Sequence, residues 1–442
     1  MNDMKKLPKI LTFDATPSSA FIRPAPTPQH EIHSRTQSFS VNYEYRVVFT
    51  RDLFSPANAS LREALEVSEH SRRQRCLVFI DADVLKQRGT LGYEIARYFR
   101  EEVPGVELAC APLAIEGGEA AKAGLSRLEQ IYHRILEHGI DRHSYVLAIG
   151  GGAVLDAVGM AAATAHRGIR HIRIPTTVLS QNDSGVGVKT AVNFAGSKNF
   201  AGCFAPPWAV LNDFDFLATL PPPVRRSGLS EAVKVALIRD RDFFLWIEAN
   251  AAELKRFEPE AEEYMIRRSA ELHMTQIAHG GDPFERGSAR PLDFGHWSAH
   301  KLETFTQYCV SHGDAVAMGI ALDARYSVLT GLLAPGEESR IVSVLNSLGL
   351  PLWHPGLARH SKNGNLELLR GLEEFREHLG GKLTITLLCA LGKGIEINEM
   401  RPDLVADAIG WLKRQAHAYS LASEQGQGQV PGQPDCIDRG WA

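Results

Sequence analysis

Three histidines and a glutamate in the second half of the chain have the residue types and spacing of metal ligands. His296 and His300 lie four residues apart in DFGHWSAHKLE, so a helix would place both imidazoles on one face. His312 follows in SHGDAV, and Glu231 lies in LSEAVKVALI with Lys234 one helical turn later. Two imidazoles and one carboxylate with an open coordination position are typical of a catalytic zinc site. The zinc-protease motif is excluded, because no glutamate follows the first histidine of HWSAH.

A polar stretch in the first half could bind a phosphorylated polyol. RIPTTVLSQNDSGVGVKTAVNFAGSKNF (173–200) begins as a strand and is expected to continue as a long, glycine-punctuated loop. A loop of this length inside a compact domain is usually functional or disordered. Lysines suit phosphate, whereas aspartate and asparagine suit hydroxyl groups, and the stretch offers Asp183, Lys189, Asn193, Lys198 and Asn199. An irregular surface excursion without a ligand is the alternative.

A glycine-rich turn indicates a nucleotide. SYVLAIGGGAVLDAVGMAAA reads as an apolar strand, the glycines 150–152 and a helix, which would let the backbone approach a pyrophosphate at the helix N-terminus. The GxGxxG fingerprint is absent, so a tight turn without a ligand stays open. Charged residues after two earlier strands favour a dinucleotide: Asp81 and Asp83 follow CLVFI, and Glu119 and Lys122 lie in EGGEAAKAG.

The elements that must position these residues fall into two halves. From residue 44 to about 215, β-rich runs alternate with helical stretches, which predicts a parallel, doubly wound sheet. The strand candidates are YRVVFT, CLVFID, ELACAPL, SYVLAIG, HIRIPTT and AVLNDF. After Pro221–Pro223, long amphipathic stretches indicate a mainly helical half. Within it, LTITLLCAL (383–391) is a late strand or a buried helix end.

The predicted fold is therefore α/β, with a Rossmann-like dinucleotide-binding domain followed by a mainly α-helical metal-binding domain. We place the first domain at 41–222 and the second at 223–420. A flexible N-terminal arm is expected over 1–40, and a disordered tail over 421–442.

Composition narrows the class of protein. A formal net charge of −4 over 442 residues argues against a nucleic-acid binder. No apolar run is long enough to span a bilayer, and the N-terminus lacks the apolar core of a signal peptide. Six scattered cysteines without a CxxC pair argue against a cysteine-type zinc site. We expect a cytoplasmic enzyme.

Six segments, in this order, resemble dehydroquinate synthase and the wider sugar-phosphate cyclase family. They are GGGAVLD, IPTTVLSQNDSGVGVK, GSKN, SGLSEAVKVALI, DFGHWSAH and HGDAVAMGIA, and the similarity runs from about residue 44 to 395. The resemblance implies bound NAD, a divalent metal (zinc or cobalt), a sugar-phosphate substrate in the cleft between the domains, and a homodimer.

The resemblance also implies roles for individual residues. The metal ligands would be Glu231, His296 and His312. The residues beside the substrate and its phosphate would be Asp183, Lys189, Asn199, Lys234 and His300, with Arg167 reaching in from the neighbouring subunit. We add Lys198, from the polar stretch, and Asp293 to this predicted catalytic set. The NAD contacts would be Asp81, Glu119, Lys122, Gly150, Gly151, Gly152, Asp156, Thr176 and Thr177.

The implied reaction leaves NAD unchanged at its end. A hydroxyl is transiently oxidised, phosphate leaves by β-elimination, the hydride returns, and an intramolecular aldol step closes a carbocycle. The implied enzyme class is a carbon–oxygen lyase acting on phosphate.

Two departures from the family pattern bear on the substrate. Asp293 stands where dehydroquinate synthases usually have asparagine, and His273 falls near a lysine that grips the substrate carboxylate. Residues 279–291 contain an apparent insertion. These changes weaken a site for an anionic C1 carboxylate and favour a ketose phosphate such as sedoheptulose 7-phosphate, as in the 2-epi-5-epi-valiolone synthase branch. The run GHWSAHKLE is most similar to the dehydroquinate-synthase-like branch of bacterial Ebo operons.

Three alternatives stay open. A true 3-dehydroquinate synthase would use the carboxylated substrate in spite of these changes. A metal-dependent alcohol or glycerol dehydrogenase shares the architecture but needs no phosphate-binding lysines. A non-enzymatic binding protein with this fold would have no need of the clustered histidines and Glu231.

Overall fold

The computed structural model describes residues 34–65, 74–195, 197–287, 291–378 and 381–426. The chain divides into two compact units, Met1–Tyr43 and Glu44–Ala442. Residues 34–43 of the first unit are exposed and have no regular secondary structure. The rest of the predicted arm lies outside the described residues.

The strands of the described chain belong to the second unit. They are β1 (Arg46–Thr50), β2 (Gln74–Asp81), β3 (Val106–Leu108), β4 (Leu113–Ile115), β5 (Tyr145–Gly150), β6 (Arg170–Pro175), β7 (Lys189–Phe194), β8 (Ser197–Phe204), β9 (Ala209–Asp213), β10 (Ile385–Ala390) and β11 (Lys393–Ile397). Seven of them form one parallel sheet in the order β1–β9–β6–β5–β2, with β3 pairing the start of β2 and β4 pairing its end. The predicted strand ELACAPL is thus two short strands.

The helices flank this sheet and then form the second half. They are α1 (Ser60–Ala64), α2 (Ala82–Gln87), α3 (Leu91–Glu102), α4 (Leu125–Glu137), α5 (Gly152–Thr164), α6 (Pro222–Ser227), α7 (Leu229–Arg239), α8 (Arg241–Ala249), α9 (Ala251–Lys255), α10 (Pro259–His279), α11 (His296–Phe305), α12 (His312–Leu329), α13 (Glu337–Ser347), α14 (Arg370–His378) and α15 (Pro402–Gly426). A parallel α/β half followed by a mainly helical half confirms the predicted fold class. Among the described residues, no helix combines the length and apolar character needed to cross a bilayer.

Three apolar clusters hold these layers together. Side chains that alternate along β2 and β5 point to opposite faces of the sheet. One face packs against α3 through residues such as Ile95 and Phe99, and the other against α4 and α5 through residues such as Ile131 and Val158. A third and larger cluster fills the helical half. Burial on both faces explains why the central strands read as continuous apolar runs.

Two sequence expectations are corrected. The stretch 173–200 is not a long loop, because after β6 it forms a short π-helix (Ser180–Ser184) and the antiparallel hairpin of β7 and β8. The C-terminal helix α15 continues to Gly426, so the first residues of the predicted disordered tail are helical, and the remainder lies outside the described residues. The ambiguous run LTITLLCAL is a strand, β10, paired with β11.

A buried arginine explains why the polar stretch folds. The Arg173 side chain, only 1% exposed, donates hydrogen bonds to the backbone carbonyls of Gly185, Gly187 and Lys189 at 3.2, 2.7 and 3.3 Å. Buried carbonyls that have no partner in a sheet ladder need such a donor. The segment between the π-helix and β7 is therefore fixed from inside the protein.

Candidate active site

The predicted nucleotide residues meet at one edge of the parallel sheet. Strand order reverses between β2 and β5, which is where open α/β sheets bind ligands beyond the carboxyl ends of their strands. Asp81 ends β2, Gly150 ends β5, and Pro175 ends β6, with Ile80 opposite Ile149 and Gly150 opposite Pro175. The turns that follow these three neighbouring strands therefore lie side by side.

Two glycines at this edge lie so close to neighbouring side chains that an added Cβ would force those side chains to move. A Cβ on Gly152 would lie 2.6 Å from Ser184 Oγ, and a Cβ on Gly117 would lie 2.4 Å from Asp81 Oδ2. The helix α5 starts here without a side-chain cap, so the N–H groups of its first turn can face an anion. Burial raises the pKa of the Asp81 carboxyl, whose Oδ1 accepts a hydrogen bond from the Asp83 backbone.

The other residues predicted to contact NAD form a polar network beside this edge. Lys122 Nζ lies 2.6 Å from Asp156 Oδ2 and is also hydrogen-bonded to Asn199. Asn193 donates to Glu119 Oε2 at 3.2 Å. Near the start of the π-helix, Thr177 Oγ1 and Ser180 Oγ lie 2.8 Å apart, while Thr176 is buried. Asn193 and Asn199, near the turn of the β7–β8 hairpin, therefore contact Glu119 and Lys122 at the carboxyl edge of the sheet.

Three helices bring the predicted metal ligands together. Glu231 lies in the first turn of α7, His296 begins α11 and His312 begins α12. One ligand atom from each lies within 4.8 Å of the others. Glu231 Oε1 is 3.6 Å from His296 Nε2 and 3.5 Å from His312 Nε2, and among the described residues it has no hydrogen-bond partner. A buried carboxylate oxygen without a donor, facing two imidazoles, fits a divalent cation.

Both imidazoles are held with Nε2 toward this point. The Nδ1 atom of His296 lies 3.1 Å from the Phe294 carbonyl, and that of His312 lies 3.2 Å from Glu303 Oε2. Because both partners can only accept, the two Nδ1 atoms carry the proton and donate. In the neutral form of each ring the Nε2 lone pair faces the same point, and donation from Nδ1–H to an oxygen is usual around ligating histidines.

Local sequence fixes the starts of α11 and α12. Ser311 Oγ accepts from the Asp314 backbone and caps α12 next to His312. Gly295 has φ of 78°, and a Cβ there would lie 2.7 Å from the Ile320 backbone nitrogen of α12. Asp323 of α12 accepts from the Gly295 N–H at 3.1 Å and from Trp297 Nε1 at 2.9 Å. The two ligand-bearing helices are therefore locked together beside the cluster.

A buried lysine lies among carboxylates next to the cluster. Lys234 is ion-paired with Glu231 and lies 3.8 Å from Asp183 Oδ1. Burial opposes its charge, but Asp183, Glu231 and Asp293 outweigh burial and raise its pKa. Burial would likewise raise the pKa of Glu231, but the charge of Lys234 outweighs burial and helps to hold it well below its usual range.

Asp183 has a partner from the opposite half of the protein. The Nδ1 atom of His273, in α10, lies 2.9 Å from Asp183 Oδ1. Burial opposes ionisation of Asp183, but Lys234 and His273 lower its pKa. The position where a carboxylate-gripping lysine was expected thus holds an imidazole bound to an acidic group.

His300 lies beside the metal cluster in a neutral form. Its ring centroid is 5.4 Å from that of His296 and 5.9 Å from that of His312. Burial lowers the pKa of His300 well below its usual value. A neutral imidazole can accept a proton.

Glu303 was missed from the sequence. It lies seven residues after His296 and three after His300, so the spacing HxxxHxxE on one helical face was a usable signal. Burial would raise the pKa of Glu303, but His312 and Lys198 lower it strongly.

The remaining predicted substrate residues do not all converge on the cluster. Lys189 forms an ion pair with Glu285 at 2.6 Å, and Lys198 forms one with Glu303 at 2.8 Å. Arg167 is exposed at the amino end of β6, a strand that spans roughly 17 Å. It therefore lies at the edge of the sheet opposite the glycine turn, away from this chain's own cluster.

Family models match both halves of the chain. The model described as 3-dehydroquinate synthase N-terminal matches residues 112–227, and the one described as 3-dehydroquinate synthase C-terminal matches residues 228–369. A 3-dehydroquinate synthase from Halorhodospira halophila is 38% identical over 311 residues, which is 70% of this chain and 85% of that protein.

Solved structures of cyclases have a similar fold. The 2-epi-5-epi-valiolone synthase of Streptomyces hygroscopicus subsp. jinggangensis 5008, with NAD⁺ and Zn²⁺ bound, has a TM-score of 0.76 and 30% identity, covering 86% of this chain and 100% of that one. A 2-deoxy-scyllo-inosose synthase complexed with carbaglucose-6-phosphate, NAD⁺ and Co²⁺ has a TM-score of 0.65 and 23% identity, covering 83% and 96%. The second likeness concerns the fold alone.

Proposed function

Because this chain belongs to the 3-dehydroquinate synthase family of sugar-phosphate cyclases, we propose that it cyclises a heptulose 7-phosphate that has no C1 carboxylate, such as sedoheptulose 7-phosphate. The observation that carries this proposal is the 2.9 Å contact between His273 and Asp183. An imidazole tied to a carboxylate is a poor receptor for a second carboxylate, since the acidic partner repels it. Asp293, which acts electrostatically on Lys234, adds another negative charge there. A hydroxymethyl ketone meets no such repulsion.

We propose that NAD lies along the carboxyl edge of the parallel sheet, at the glycine turn 150–152, and that zinc or cobalt lies between Glu231, His296 and His312. The uncapped start of α5 and the close packing at Gly152 support the first site, and the two Nε2 atoms facing Glu231 Oε1 support the second. When bound, NAD accepts and returns a hydride, while the metal polarises a substrate oxygen.

The chain's own residues would bind substrate and move protons. Asp183 is held ionised by Lys234 and His273, so its free lone pairs can accept hydrogen bonds from sugar hydroxyls. The neutral His300 ring can take the proton released when phosphate is eliminated. Lys189 is half-exposed and offers a cation to phosphate once that anion replaces Glu285.

A true 3-dehydroquinate synthase is the second candidate. Its support is the 38% identity to the H. halophila enzyme of that name, together with both family models. Its substrate lacks the C3 hydroxyl of sedoheptulose 7-phosphate, but the difference in charge lies at the group carried by C1. The residues that meet that group therefore decide between them.

A substrate panel separates the candidates. Phosphate release is measured with NAD and zinc or cobalt, using sedoheptulose 7-phosphate, 3-deoxy-D-arabino-heptulosonate 7-phosphate and glucose 6-phosphate, with mass spectrometry of the products. We expect release from sedoheptulose 7-phosphate, with a kcat/KM at least about tenfold above that for the carboxylated sugar, since one unfavourable charge contact costs about 1.4 kcal/mol or more. NADH should not accumulate. Preference for the carboxylated sugar would establish a dehydroquinate synthase, and net NADH formation would establish a dehydrogenase.

We also propose that a second copy of the chain supplies Arg167 to the phosphate. Its position at the amino end of β6 supports this, because the side chain cannot reach the cluster of its own subunit. A closed dimer would place two such arginines symmetrically.

Complementation tests the shared site. Arg167→Ala and Glu231→Gln are each expected to be nearly inactive, because each removes one component of every site. Co-expression of the two variants with different tags should restore roughly a quarter of wild-type activity, since half of the dimers are mixed and each mixed dimer has one intact site. Absence of restored activity in purified mixed dimers would place Arg167 outside the partner's site.

A further inference from the structure

We propose that Glu303 and Lys198 are positioning residues for the metal ligand His312, so that the hairpin of β7 and β8 controls metal affinity in the helical half. This rests on the proposed metal site. Neither residue is assigned this role by the resemblance, which gives Lys198 to the substrate and leaves Glu303 without a function.

The contacts form a continuous line from the hairpin to the cluster. Lys198 Nζ, from β8, lies 2.8 Å from Glu303 Oε1. The other oxygen of that carboxylate lies 3.2 Å from His312 Nδ1. On the far side of the same ring, His312 Nε2 lies 3.5 Å from Glu231 Oε1.

Each contact has a definite effect on the next. A carboxylate that accepts from Nδ1–H fixes the tautomer and the ring plane, and it makes Nε2 a stronger electron donor. Glu303 is 3% exposed, so its two oxygens depend on protein donors for their position. Lys198 binds one of these oxygens, and without it the carboxylate would lose one of the two contacts that orient it.

A comparison with His296 shows why only the orientation of His312 depends on the contacts with Glu303 and Lys198. The Nδ1–H of His296 donates to the backbone carbonyl of Phe294, two residues away, so its orientation is fixed by local main chain. Among the described residues, the hydrogen-bond acceptor of His312 Nδ1 is the side chain of Glu303 and not a backbone carbonyl. That side chain is held by an ion pair whose two residues are 105 positions apart in sequence.

The surroundings of Lys198 also disfavour phosphate binding. Its Nζ lies between Glu303 and Glu119, the latter at 3.6 Å, and 5.8 Å from the ring centroid of Tyr308. Two carboxylates already neutralise its charge, so an incoming phosphate would have to displace one of them. Lys189 is more exposed and pairs with Glu285, which leaves it better suited to that task.

The test is metal affinity, measured without turnover. Apo-protein variants are titrated with Zn²⁺ against a chromogenic chelator and with Co²⁺ by visible absorption, which reports the ligand geometry. We expect Glu303→Gln to weaken Zn²⁺ binding about 10- to 100-fold and to alter the Co²⁺ spectrum. Lys198→Met should also weaken Zn²⁺ binding, whereas Lys198→Arg, which keeps the positive charge, should bind Zn²⁺ about as tightly as the wild type. A double variant with Glu303→Gln and Lys198→Met should lose no more Zn²⁺ affinity than the more affected of the two single variants, because both residues act on one imidazole.

A matched control separates this role from general damage to α11. Glu374→Gln removes the ion pair with Lys301, which joins α11 to α14 away from the cluster, and it should leave Zn²⁺ affinity unchanged. Thermal unfolding of each apo-protein identifies any variant that does not fold. In that event Lys198→Gln takes the place of Lys198→Met.

Two results would overturn the proposal. Unchanged Zn²⁺ affinity in folded Glu303→Gln would show that the carboxylate does not hold His312. A raised KM for the sugar phosphate in Lys198→Met, with metal affinity intact, would show that Lys198 binds the substrate and does not position His312. A wild-type chain that binds metal but releases no phosphate contradicts only the proposed function, whereas one that binds no metal contradicts both.

Discussion

Replacing Glu231 with glutamine is expected to lower phosphate release by at least about 10³-fold. The substitution keeps the size of the side chain but removes the negative charge shared by the two Nε2 atoms. Loss of the polarising metal removes several kcal/mol of transition-state stabilisation, and about 4 kcal/mol corresponds to 10³ in rate. The variant should also bind Zn²⁺ far more weakly, which equilibrium dialysis followed by metal analysis measures directly.

The matched control is another buried glutamate. Glu262→Gln in α10 removes a carboxylate that is 2% exposed and paired with Arg225, and neither residue is one of the proposed metal ligands. It should reduce stability but retain bound metal and most activity. Full activity of Glu231→Gln with no bound metal would show that the proposed reaction does not need the metal.

Replacing Lys234 with methionine should destabilise the apo-protein by about 3 to 5 kcal/mol, the usual cost of leaving a buried charge without its partner. The variant leaves the buried Glu231 and the partly buried Asp183 without the cation that both of them now contact. Urea unfolding of the apo-protein measures the loss. The loss should shrink as the pH falls, because protonation of Asp183 removes the unpaired charge.

Two variants sharpen this prediction. Adding Asp183→Asn to Lys234→Met should recover part of the lost stability, since it removes one of the repelling carboxylates. Lys301→Met removes a lysine of similar burial, but its partner Glu374 is half-exposed and can be solvated, so the loss should be about 1 kcal/mol or less. Equal losses of stability for Lys234→Met and Lys301→Met would show that removing Lys234 does not leave its carboxylate neighbours in an unfavourable contact.

The sequence alone determined the elements whose signals are local. Apolar runs that end in glycine or aspartate predicted β2 and β5 and the turns after them, because a strand and its turn occupy only about ten consecutive residues. The spacing of His296 and His300 predicted that both share one helical face, and the structure places both on α11. The grouping of Glu231, His296 and His312 could be stated before their distances were known, through the resemblance to the cyclase family.

Only the tertiary structure decided which partner each polar side chain has. The stretch after β6 reads as a loop because nothing within it marks a hairpin; Arg173, buried beneath it, satisfies its carbonyls. The partners of Asp183 and Lys198 lie 90 and 105 residues away in sequence. Helical and strand periods relate residues a few positions apart, so they carry no information about such pairs. Ligand types were therefore readable from the sequence, while the side chains that orient those ligands were set by packing between the two halves.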